Sequence, residues 1–281
     1  MNIYALSFAR SALVALAVAG LSTVAAAAVA SGDPVQPATP TVTPLETEAG
    51  RAALKQASAE KKAAYQLEGA AREDALIAAA ASYGVVADTQ THGLLDRAEA
   101  AFRAGEILRA RGRMDDAMSR FDQATELGET HGDERVGGEA EELRVFAARG
   151  LLEAGHLARR TSEVDDALET YAGLEGRFPD CIRQCVQART WSVKLLVKEE
   201  RWDDARKRAL ELDVFLPEHG LEAIQTVRTL VEALQKAERA DSASEVVAAL
   251  QGRLTNHGEI MTEPVASAFG ALRDMVGASG Y

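Results

Sequence analysis

A four-residue stamp recurs along this chain. Met114-Asp115-Asp116-Ala117, Val164-Asp165-Asp166-Ala167 and Trp202-Asp203-Asp204-Ala205 share the pattern hydrophobic-Asp-Asp-Ala, and Ala240-Asp241-Ser242-Ala243 is a weaker copy. The alanines stand 50, 38 and 38 residues apart. Self-similarity at such spacing implies a repeat architecture, in which each unit buries its apolar face against the next. Paired acids suit the start of a helix, where carboxylates accept backbone N–H groups and oppose the dipole. Fourteen residues beyond each alanine stand His131-Gly132, Cys181, His219-Gly220 and His257-Gly258. Glycine after a helix takes the left-handed C-cap conformation, and histidine suits the negative helix end. The pairs therefore read as punctuation between helices, because successive repeats would hold them too far apart to share a metal ion.

The unit is helical. From Leu45 onward the apolar spacing follows a helical period, without alternating β-branched runs. Aromatic residues make up only 5% of the chain while alanine abounds, which excludes a β-sandwich or barrel and favours closely packed helices. No phosphate-binding loop, nucleophile elbow, His-Glu-x-x-His or calcium loop occurs. The repeat explains all three aspartate pairs at once, and so removes the reading of glycosidase-type carboxylates.

At these residues the chain resembles the tetratricopeptide repeat (TPR) family. That unit sets small residues where two helices touch, an aromatic four residues after the alanine, and proline at the end. The first copy matches with Gly105, Ala117, Phe121 and Ala124, the second with Gly155, Ala167, Tyr171 and Pro179. The third keeps Ala205 and Pro217 but carries Val193 and Ala209 at the glycine and aromatic places; the fourth has Val231 and Val247. The resemblance covers Ala98 to Leu254. It implies an all-α fold, a right-handed α-solenoid of TPR-like helix hairpins with N- and C-terminal capping helices. The wide spacings imply longer helices or loops, notably over Gly128 to Gly138. Thr262 and Pro264 open a last helix running to about Gly277.

Ahead of the repeats the sequence divides by composition. Residues 1–30 carry one side-chain charge, Arg10, then an uncharged apolar run and Ala28-Val29-Ala30, which together read as a secretory signal peptide. Ser11 to Ala30 is also just long enough for an uncleaved membrane anchor. No cysteine precedes Cys181, so acylation near the signal is excluded. Residues 31–44 hold four of the seven prolines and read as a linker. Residues 45–84 form an alanine-rich helical segment ending near Gly84, ahead of a solenoid over 89–277. A heptad through Leu45, Ala49, Ala52, Ala59 and Ala63 offers an oligomerising seam, against which stands the role of a simple capping helix.

The chain is acidic, with 43 Asp and Glu against 31 Lys and Arg, so nucleic acid is not expected as a partner. The resemblance implies a concave groove lined by the first helix of each unit. Its positions place Arg109, Arg149, His156, Arg159, Arg160, Lys194, Lys198, Arg228 and Lys236 there, outnumbering Glu99, Glu106 and Glu232. Such a groove would take a protein or peptide partner with an acidic segment; the alternative is a solvated helix face. The chaperone-type carboxylate clamp of some TPR proteins lacks its asparagines here. Cys181 and Cys185, one turn apart, would form a disulfide in an oxidising compartment or remain two buried thiols. No cofactor and no catalytic residue are expected. The expected function is a non-enzymatic interaction scaffold exported to the cell envelope, periplasmic or extracellular, with membrane contact only if the signal is uncleaved. Exported TPR proteins end repeats much as Tyr171 to Asp180 does. An accessory platform of a murein-acting enzyme is the alternative.

Overall fold

The computed structural model describes residues 44–131, 138–161, 163–211, 216–256 and 262–277. Among these the chain is all-α, with no strand, in eleven helices: α1 (Glu48–Ala64), α2 (Gly69–Asp88), α3 (Leu94–Ala110), α4 (Met114–His131), α5 (Gly138–Arg160), α6 (Val164–Arg177), α7 (Ile182–Lys198), α8 (Trp202–Leu210), α9 (Leu216–Lys236), α10 (Ala240–Asn256) and α11 (Glu263–Gly277). Each helix packs on its successor, and the odd-numbered helices also pack in a row, α1 on α3, α3 on α5, and onward to α11. That is the layering of an α-solenoid, one row of helices lining one face and the second row backing it. The signal and linker readings fall on residues outside those described, apart from Pro44, the last linker residue.

The stamp does start a helix in every copy: α4, α6, α8 and α10 open at Met114, Val164, Trp202 and Ala240. Its acids sit in the first turn, where they face the positive helix end. At α6 and α8 no side chain caps the backbone, contrary to the expected carboxylate caps. The acids meet arginines instead. Arg113 pairs with Asp116 at 2.6 Å, and Arg201 reaches Asp204 at 2.9 Å and Asp165 of the preceding unit at 2.7 Å.

The punctuation lies elsewhere than the His-Gly pairs. The amides of Arg113, Glu163, Arg201 and Arg239 donate to the carbonyls five residues back, on Leu108, Ala158, Leu196 and Leu234. This is the Schellman closure, and it ends all four odd helices from α3 to α9. The residue before the donor takes the left-handed conformation in three of these closures, at Gly112 (φ 77°), Glu200 (φ 55°) and Glu238 (φ 59°). His131 does end α4, but His219 lies within α9, at a kink (φ −128°, ψ 38°), and Cys181 is the N-cap of α7. The marker drifts because α8 has 9 residues where α4 has 18, so a fixed offset overshoots the short helix. His257 and Gly258 lie outside the described residues.

The wide first spacing is taken up by helix length. α4 runs through Gly128, which packs on Ala147 of α5, and α5 has 23 residues against 17 in α3. The alanine-rich segment is two helices, and the second runs past Gly84 to Asp88. Its first helix buries Gly50, Leu54, Ala57 and Ala64, leaving Ala49, Ala52, Ala59 and Ala63 exposed, so the drawn heptad is not the packed face. Leu54 is the reason: it alone offers a large apolar side chain to the seam.

α1 is fastened at its start. Thr47 caps it by accepting from the Gly50 amide at 3.0 Å, and the Thr47 amide donates to buried Asp96 of α3 at 2.9 Å. The unpaired amides of α3 donate in turn to the chain ahead of α1: Leu94 to the Pro44 carbonyl (3.0 Å) and Leu95 to Leu45 (2.7 Å). Gly93 permits this approach, since a side chain there would collide with the backbone of Leu45 and Glu46.

Candidate functional site: a cationic and aromatic helix face

The odd helices present one partly exposed stripe. Along α3 it holds Glu99, Arg103, Glu106 and Arg109; along α5, Arg149, Glu153, His156 and Arg159; along α7, Gln187, Trp191 and Lys194. The register follows from helical geometry, because residues three and four apart share a face.

The nine predicted side chains separate into two groups. Arg109 is neutralised by Glu153 at 2.5 Å, Arg228 by Glu232 at 2.7 Å, and Lys198, 77% exposed, stands 3.7 Å from Glu199. Lys236 is exposed in the last turn of α9. The other five converge on aromatic rings or lie beside them in sequence. Arg149 stacks over Phe102 at 4.3 Å and stands 5.7 Å from Phe146, and Arg159 lies 4.2 Å from the centre of Trp191. Lys194 meets the same indole at 4.7 Å, and Arg160 is exposed at the end of α5. His156 packs edge-on to Trp191 with centres 5.1 Å apart, and its Nδ1 lies 2.6 Å from the Tyr171 hydroxyl.

These contacts set the charges. Burial, aided by the Arg159 and Arg109 charges, pushes the His156 pKa down to about 4, so this groove histidine is neutral at pH 7. Burial also lowers the Arg149 pKa, and it raises the Tyr171 pKa. Trp191 was not among the expected site residues; it stands three places before Lys194, which was. Its signal in the sequence is an indole with cations on its own helix and on the odd helix before it. Glu153 and Arg103 were missed in the same way, and Glu153 removes the positive charge assigned to Arg109.

Between α7 and α9 lies a cleft of about 410 Å³, lined by Arg183, Trp191, Lys194, His219, Glu222 and Gln225 among others. The Thr190 and Thr226 hydroxyls, 2.6 Å apart, join the two helices beside it. Cationic rims over aromatic floors bind carboxylates and hold apolar side chains beneath them.

Both cysteines are buried, and each stands as a free thiol in this structure. Cys181 sits outside the helix as its N-cap, while the Cys185 thiol donates to the Phe178 carbonyl at 3.3 Å. Burial pushes the two pKa values up to about 11 and about 12, away from thiolate reactivity. Among the described residues no group of three or more His, Cys, Asp or Glu could hold a metal ion, and no helix is long and apolar enough to cross a membrane.

No family model matches the chain, and no curated protein matches it. Among solved structures it is similar to BtubC (BKLC) from P. vanneervenii, with 14% identity and a TM-score of 0.46 over 75% of this chain and 93% of that one. A likeness at that level bears neither on the groove nor on a partner.

Proposed function

We propose that this protein is a non-enzymatic scaffold of TPR type, exported to the cell envelope, that captures an acidic segment of a protein partner along α5, α7 and α9. One observation carries the reading. On an acidic chain whose arginines mostly meet carboxylates, Arg149, Arg159, Arg160 and Lys194 have no carboxylate within 4 Å among the described residues. Three of the four lie against the rings of Phe102 or Trp191. Gathered like charges repel, and a partner carboxylate would relieve that repulsion while the rings take its apolar neighbours. Arginine forks grip carboxylates with two hydrogen bonds, which gives geometric selectivity. Export rests on residues 1–30, and cleavage after Ala30 would leave Ser31 as the first residue.

The deciding experiment compares wild type with the double variant Arg159→Glu/Lys194→Glu as bait for envelope extract, at low and high salt. The variant loses the partner while its helical circular dichroism is unchanged, and wild-type capture weakens as salt rises. Equal capture by both proteins would sink the groove reading. Sequencing the mature N-terminus tests export separately.

A further inference from the structure

A second cleft, of about 680 Å³, opens between α1 and α3. Its lining comes from one face of α1, with Arg51, Lys55, Ser58 and Lys62 three or four residues apart, and from the C-cap Tyr65 that continues the row. Lys61 stands beside them, Tyr83 of α2 joins from behind, and Glu99 and Arg103 complete the α3 side.

The cations here are of two kinds. Arg51 pairs with Glu46, Asp96 and Glu99, and Arg103 with Glu99 and Glu106, so both are neutralised within the fold. Lys55, Lys61 and Lys62 have no carboxylate within 4 Å among the described residues. Below them the floor is apolar, with Leu54 and Tyr83 buried and Tyr65 51% exposed at the rim. Two lysines in the last turn of α1 oppose its dipole, but Lys55 lies too far back for that role.

We propose that this cleft is a second peptide-binding site, for a segment carrying two carboxylates about three residues apart with an apolar side chain between them. The spacing follows from the helix. At 1.5 Å per residue, Lys55 and Lys62 are about 10 Å apart along α1. A single phosphate cannot touch both, whereas a peptide in the polyproline II conformation rises about 3.1 Å per residue and returns every third side chain to one face, so it covers that distance in three residues. The apolar floor requires a side chain that phosphate lacks. The cleft adjoins the α3 end of the odd-helix stripe through Glu99 and Arg103, but none of its lining residues is among the groove cations of α5, α7 and α9, so separate variants test the two readings.

The test uses the full chain and a labelled synthetic peptide with two glutamates three residues apart and a phenylalanine between them, followed by fluorescence anisotropy. Lys55→Gln/Lys62→Gln weakens binding by about tenfold, the order expected from two exposed ion pairs, and Arg159→Glu/Lys194→Glu leaves it unchanged. A peptide with the glutamates adjacent binds more weakly, and millimolar inorganic phosphate fails to displace the original. If Lys55→Gln/Lys62→Gln binds like wild type, or if phosphate displaces the peptide, the proposal is overturned. Loss of binding only in Arg159→Glu/Lys194→Glu would also overturn it, placing the peptide in the other groove and leaving that reading intact.

Discussion

The ring of Tyr171 lies directly over Gly155: a β-carbon on Gly155 would stand 2.5 Å from Tyr171 Cε1. Gly105 and Phe121 repeat the contact one unit earlier, at 2.6 Å. In the third unit the corresponding places hold Val193 and Ala209, both buried, so the bulk has moved from the even helix to the odd one. The volume of the seam is kept while its ownership changes, as close packing demands.

That exchange can be reproduced. Gly155→Val should crowd the ring and cost about 1–3 kcal/mol, and Tyr171→Ala should leave a cavity costing about 3–5 kcal/mol. Combined, they copy the third unit, and the double variant should be more stable than the sum of the two losses. Urea unfolding of all four proteins reads the coupling. Strict additivity would mean that the two places do not share one space.

Glu200 and Glu238 occupy the left-handed position that Gly112 fills in the first unit. A side chain there costs about 1–2 kcal/mol, of which glycine's extra freedom in the unfolded chain returns part. Glu200→Gly should raise stability by about 0.5–1 kcal/mol, visible as a higher urea midpoint. Gly112→Ala should lower it. The same direction for both would refute the Schellman assignment.

His156 makes stability depend on pH. Its folded pKa, about 4, lies below the ordinary 6.5, so between those values the unfolded chain binds more protons and acid favours unfolding. The contribution is full above pH 6.5, is lost as pH falls to about 4, and amounts to about 3 kcal/mol. His156→Gln should flatten the stability profile across that window. A variant that keeps the wild-type slope would assign the effect to other groups.

Asp96 holds the start of α1 through the Thr47 amide, and Arg51 stands 3.3 Å away. Asp96→Ala strands the half-buried Thr47 amide and should cost about 1–3 kcal/mol. Because repeat stacks open locally, hydrogen exchange should quicken across residues 47–64 while α7 keeps its protection. Uniform acceleration would show that α1 does not open on its own.

The sequence betrayed those features that the backbone or the seam requires at one spot. Aspartate in the first turn and alanine at a helix contact answer to local geometry, so the stamp located four helix starts. The C-terminal helix was legible from Thr262 and Pro264 for the same reason. The third unit was harder to align because Val193 and Ala209 satisfy a sum of volumes, which no single position displays. The packed face of α1 was misread because alanines look alike on every side; Gly50 against Asp96 and Leu54 in the core decide it. Trp191 escaped because its partners Arg159 and His156 lie on α5, two helices back, and only the stacking of α5 on α7 brings them together.

The two amides of Leu94 and Leu95 that hold the Pro44 and Leu45 carbonyls have a mechanical meaning. A force on the chain from its N-terminal side enters the fold at Leu45 and is borne first by these bonds and by Asp96, at the head of α3. Gly93 sits under the strap, so close that a side chain there would collide with the backbone of Leu45 and Glu46. Tension therefore loads the stack at the head of α3, and the helices beyond α3 are pulled only after these bonds give.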